Sequence, residues 1–138
     1  MVLLFDQFNL PEDVFQIVFA TDQQVDVGKL LVSEMKKANN EFNKQQMSEF
    51  AMTLHDGVTV SKTVKVGLTT QKKQSKLSYN KRQFYDRILT PMKGMGLIDY
   101  DLYKKTYQIS EKFTKTMTRL AAMWVNEAKK PAFKYRES

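Results

Sequence analysis

The chain contains no cysteine. Disulfide scaffolds, zinc ribbons, iron–sulfur clusters and thiol nucleophiles are therefore excluded, and a reducing compartment suits it. There is one histidine, His55, so a histidine-based metal site would need carboxylates for its remaining ligands. Apolar runs such as Val2–Phe5 and Ile17–Ala20 fall far short of the ~20 residues of a membrane span. The opening Met-Val-Leu-Leu-Phe-Asp has no basic leader, so it is not expected to serve as a signal peptide. The expected location is cytoplasmic, or nucleoid-associated.

What is present is enough for one core. The 138 residues suit a single domain or a domain with an added arm. Hydrophobic residues make up 42% and aromatics 12%, which argues against global disorder.

The net charge of +7 is unevenly distributed. Residues 1–60 hold four basic and nine acidic side chains, a net of −5, whereas residues 61–138 hold eighteen basic and six acidic, a net of +12. A lysine-rich solvated face is one reading of this split. The sharper and favoured reading is a polyanion-binding surface in the second half, most often for nucleic acid. The basic residues are spread over several elements, unlike the single basic helix of membrane-surface binders.

Periodicity divides the chain. Pro11, Glu12 and Asp13 suit a first helical turn leading into Val14–Phe19 and a helix to about Gln23. Asp26 suits the cap of a second helix, with Leu30, Leu31 and Met35 on one side, and Asn39-Asn40 a break. A third helix is expected over Asn43–His55, closed by Asp56-Gly57. Val58 to Leu68 reads as strand or hairpin, with a short helix as the alternative, and Thr69–Ser78 as a basic loop or exposed helix.

A helix is expected over 79–93, with Phe84, Ile88 and Met92 facing the core and Pro91 kinking or ending it. Two short strands follow, Ile98–Leu102 and Tyr107–Ile109, with a turn near Tyr103–Lys105. A last helix runs over about 111–130, with Ser110 as its cap and Phe113, Met117, Leu120 and Trp124 in one stripe.

The strings Phe84-Tyr85-Asp86-Arg87-Ile88-Leu89, Met92-Lys93-Gly94-Met95-Gly96-Leu97-Ile98 and Tyr107-Gln108-Ile109-Ser110-Glu111-Lys112 resemble the winged helix-turn-helix DNA-binding superfamily. That resemblance covers about 50 residues and implies a mainly α fold with a small β-hairpin wing. Extra helices would flank it: a helical extension over 1–42, a core over 43–110, and a C-terminal helix and basic tail over 111–138.

The resemblance implies a non-enzymatic, double-stranded DNA-binding protein in which helix 79–93 reads the major groove. A helix fits that groove, and Asn or Gln pairs with adenine and Arg or Lys with guanine. The candidate contacts on the helix are Tyr79, Asn80, Lys81, Arg82, Gln83 and Arg87. Lys72, Lys73 and Lys76 ahead of it, and Lys104 and Lys105 at the wing tip, are candidates for phosphate.

The stripe Phe113, Met117, Leu120 and Trp124, together with Phe15, Ile17 and Phe19, is the expected interface of a homodimer. Transcriptional regulation is the expected role. A protein-interaction module, or a replication or segregation factor of a small replicon, is the alternative. No cofactor, metal or small-molecule ligand is expected, and no Walker-type loop or clustered carboxylate spacing points to an enzyme.

Overall fold

The computed structural model describes residues 5–135. The order of elements is α1 (Phe15–Val18), α2 (Asp22–Lys37), β1 (Glu41–Asn43), α3 (Lys44–Asp56), β2 (Val58–Val66) and β3 (Thr69–Leu77), then α4 (Lys81–Phe84), a π-helical turn (Tyr85–Leu89), α5 (Thr90–Met95), β4 (Ile98–Asp101), β5 (Thr106–Ile109) and α6 (Lys112–Lys129).

This corrects the expected architecture. The chain is mixed α/β, 50% helical and 24% strand, with antiparallel sheets of three and two strands. It is not a mainly α winged helix-turn-helix whose only β structure is a small wing. Two segments make the difference. Glu41–Asn43 joins the predicted hairpin as a third strand, in the order β1-β5-β4. Residues 58–77 form a separate hairpin of two nine-residue strands, paired from Val58↔Leu77 to Val66↔Thr69. Thr69–Leu77 shows no apolar alternation because its far part is solvated on both faces. Burial could not write a period of two into it.

The N-terminal helix also differs. It stops at Val18, and Phe19 is extended (φ −115°, ψ 144°), which drives its ring into the core. Thr21, rather than Asp26, caps α2 by accepting from the Gln24 N–H at 3.2 Å. Gly28 makes room for this crossing: a Cβ there would lie 2.7 Å from Phe19 Cε2 and 3.1 Å from Phe15 Cδ1. Lys29 pairs with Asp13 at 2.8 Å and ties the preceding turn to the same helix.

One buried cluster unites the elements. It contains Val27, Leu31 and Met35 of α2, Met47, Ala51 and Leu54 of α3, Phe84, Ile88 and Met92 of the helix 81–95, and Ile98 of β4. The three-stranded sheet closes one side. Phe42, Tyr107 and Tyr100 stand opposite one another on one face, while Glu41, Gln108 and Asp99 occupy the other. Burial lifts the Tyr107 phenol above its ordinary value, with Tyr85 and Tyr100 adding to the effect and Lys44 opposing it.

Pro91 does not end its helix, which continues to Met95. The turn before it widens to π geometry, with the Thr90 N–H bonding the Tyr85 carbonyl five residues back. Thr90 Oγ1 donates to the same carbonyl at 2.8 Å. A proline lacks the N–H that an α-helix needs and crowds the carbonyl four residues earlier. The wider turn relieves that crowding and lets the helix run on to Met95.

Candidate nucleic-acid interface

The helix 81–95 is held from below by its buried residues and from its start by two side chains, Asn80 and His55, with Ser78 and Gln23 bracing the segment before it. Asn80 Oδ1 accepts from the Gln83 N–H at 3.1 Å, which is an N-cap. His55 Nδ1 accepts from the Lys81 N–H at 3.2 Å. Ser78 Oγ donates to the His55 carbonyl at 3.0 Å, and Gln23 Nε2 donates to the Ser78 carbonyl at 3.0 Å. Sequence reading gave His55 no part here. Its position in the last turn of α3 could not show that it would meet a helix start 26 residues later.

The outward face of this helix presents Arg82, Gln83, Asp86, Arg87, Thr90 and Lys93, all exposed. Their period follows from the inward face: Phe84, Ile88, Leu89 and Met92 are buried, so their neighbours point out. Among the candidate contacts, Tyr79 is different. It is 7% exposed and belongs to the core, so its ring faces the protein. Asn80 is exposed, but its side-chain oxygen is engaged in the cap, and Lys81 is half-buried, its Nζ 3.5 Å from Ser48 Oγ. The first N–H groups bond Asn80 and His55, which leaves less of the helix N-terminus for a phosphate than expected. Arg82, Gln83 and Arg87 remain the side chains free to reach outward.

Hairpins precede and follow the helix in the chain. After it, the turn between β4 and β5 carries Lys104 and Lys105 at its tip, both exposed, as are Leu102 and Tyr103. Lys105 adopts positive φ (54°). Asp101 shapes the turn by accepting from the N–H groups of Lys104 (3.1 Å) and Tyr103 (2.9 Å). Those bonds hold its carboxyl below the ordinary carboxylate range. Before it, the β2–β3 hairpin carries Lys72, Lys73 and Lys76 on β3, and the aliphatic part of Lys76 lies across Gly57.

Five ion pairs are formed among the described residues: Lys29–Asp13, Lys37–Glu34, Lys62–Asp26, Lys112–Asp99 and Lys130–Glu127. None engages Arg82, Arg87, Lys72, Lys73, Lys76, Lys104 or Lys105. Lys93 is partly drawn away, lying 5.9 Å over the Tyr107 ring.

The residues expected at a dimer interface fall into two groups. Phe19 is inside the core of its own chain, and Phe15 packs against that core with Ile17 half-buried beside it. In α6, Phe113 and Met117 are half-buried, whereas Leu120 is 49% and Trp124 72% exposed. Met123 and Val125, not singled out in the sequence, are exposed beside them. No residue of this 18-residue helix is buried.

Among the described residues, no group of three or more His, Asp or Glu side chains is placed to hold a metal ion. No helix there is long and apolar enough to cross a membrane. Comparison of the chain with protein-family models, with curated proteins and with solved structures finds no match.

Proposed function

We propose that the protein binds double-stranded DNA as a homodimer, laying the outward face of helix 81–95 in the major groove, and serves in transcriptional regulation. The observation that carries this reading is that face itself. Arg82, Gln83 and Arg87 project from a helix whose opposite side is locked in the core, and among the described residues no ion pair engages its two arginines. Such a helix is preorganised to present donors to base edges. Lys104 and Lys105, on the turn that follows, supply phosphate contacts that position the helix.

The exposed stripe of α6 supports the homodimer. Leu120 and Trp124 lie along the same side as Phe113 and Met117, with spacings of four, three and four residues, the pattern of a helix that packs against a second helix. Pairing two copies across a two-fold axis covers that stripe and sets two recognition helices about one DNA turn, ~34 Å, apart.

The test is a mobility-shift assay on random duplex pools at two salt concentrations, with sedimentation of the free protein. About six phosphate contacts reduce affinity roughly 10³-fold between 50 and 200 mM salt. Absence of binding at low salt, or flat salt dependence, overturns the DNA reading. A species of 16.1 kDa at micromolar concentration overturns the dimer.

A further inference from the structure

The β2–β3 hairpin is longer than its anchoring requires. At ~3.3 Å per residue, nine-residue strands reach about 30 Å. Only the base is held by the domain: Leu77 is buried, Val60 packs on the core, and Lys62 pairs with Asp26 of α2. Beyond that point the ribbon is exposed on both faces, and Leu68 at its tip is fully exposed. A bare two-stranded ribbon of this length is at best marginally stable, so burial of its own side chains does not explain it.

The pairing register sorts its residues into two unlike faces. Val58, Val60, Lys62, Val64 and Val66 share one face with the partners opposite them, and this is the face whose base meets α2. The other face joins Thr59, Ser61, Thr63 and Lys65 to Lys76, Gln74, Lys72 and Thr70. Every side chain there is a lysine or a neutral hydrogen-bonding group. The whole stretch 58–77 holds five lysines and no Asp or Glu. None of Lys65, Lys72 and Lys76 forms an ion pair among the described residues. Lys65 and Lys72 stand two residues apart along the ribbon, about 7 Å, and Lys76 about 13 Å further on.

We infer that this polar, lysine-bearing face is a second duplex-contacting element, a ribbon that follows the DNA backbone and groove beside the segment read by helix 81–95. The inference rests on the proposed DNA reading and extends it. A two-stranded ribbon is one of the shapes the major groove admits. A face without carboxylates pays no like-charge penalty against phosphate, and Ser, Thr and Gln side chains bond phosphate and sugar oxygens. Lys65, absent from the sequence-derived candidates, becomes a contact because the register places it beside Lys72. The hairpin joins directly to the start of α4 through Ser78–Asn80, so its base lies next to the start of helix 81–95.

The experiment compares three full-length proteins on a 30-base-pair duplex selected by the wild type. These are the wild type, the double variant Lys65→Ala/Lys72→Ala, and a control with equal charge loss on α2, Lys36→Ala/Lys37→Ala. Circular dichroism and thermal midpoints establish that all three are folded. The ribbon variant is expected to bind about 30-fold more weakly at 0.15 M salt, with a salt slope shallower by about 1.8, two phosphates at 0.9 each. The control is expected to keep the wild-type slope. If the wild type binds and the ribbon variant keeps its slope, the ribbon inference falls while the reading of helix 81–95 stands. Equal losses in variant and control reduce the ribbon to diffuse charge and overturn it as well. If the wild type does not bind duplex, both fall together.

Discussion

His55 Nδ1 accepts a hydrogen bond from the Lys81 backbone N–H at 3.2 Å, joining the last turn of α3 to the first residue of the helix that presents Arg82 and Arg87. The bond requires an unprotonated Nδ1, because a ring nitrogen that carries a hydrogen cannot accept. It satisfies a donor that the helix cannot satisfy itself, and Asn80 satisfies the next one but one.

His55→Ala should therefore behave as the loss of a helix cap, costing about 1 kcal/mol of unfolding free energy. Urea denaturation measures this. An unchanged midpoint would mean that water replaces the imidazole at no cost.

Gly96→Ala should cost more. Gly96 ends α5 at φ +83°, and a Cβ there would lie 2.7 Å from the Phe113 backbone N and 2.9 Å from the Lys112 carbonyl carbon. The neighbours are backbone, and the Phe113 N–H bonds the Gly96 carbonyl at 3.0 Å, so the start of α6 must shift. A loss of about 2 kcal/mol or more is expected from strain and the clash together. Thermal unfolding tests it, and a variant as stable as the wild type would show that α6 moves freely at this point.

Arg87→Ala and Gln83→Ala should each reduce discrimination between DNA sites by about 1–3 kcal/mol, since both project from the buried-backed helix. Lys104→Ala and Lys105→Ala, on the turn after it, should weaken all sequences alike. Binding measured on the selected site and on a scrambled duplex separates the two groups. Identical behaviour would mean that the helix does not read bases.

The Asp13–Lys29 pair gives a pH dependence. The hydrogen bond from Lys29 holds the Asp13 carboxyl below its ordinary value of 3.8, helped by the N–H groups of Gln16 and Phe15 and opposed by burial. A carboxyl depressed in the folded state stabilises it above the unfolded pKa, and that stability is lost as pH falls through the folded value. Asp13→Asn should thus be less stable than the wild type at neutral pH, with the difference closing below pH 3.8. A gap that is constant with pH would show that Asp13 acts by shape alone.

Local chemistry determined much of this molecule in advance. Asn43 and Gln46 form a reciprocal capping box at the start of α3, and Gly57 closes that helix at φ 108°. Asn39 and Asn40 both adopt positive φ at the expected break. The alternation of Ile98 and Tyr100, then Tyr107 and Ile109, became a paired hairpin. Each of these signals lies within a few residues of its effect, so the sequence carries it openly.

Other features depended on partners remote in the chain. Phe19 leaves a helical pattern because the core and Gly28 receive its ring, and Tyr79 turns inward from the end of a polar stretch. Pro91 stays in a helix because a π turn forms before it. The strand Thr69–Leu77 exists only through its pairing with Val58–Val66, and that register alone put Lys65 beside Lys72. Composition could place positive charge in the second half of the chain. Which side chains share a face is decided by strand register and burial, which depend on residues that meet only when the chain has folded.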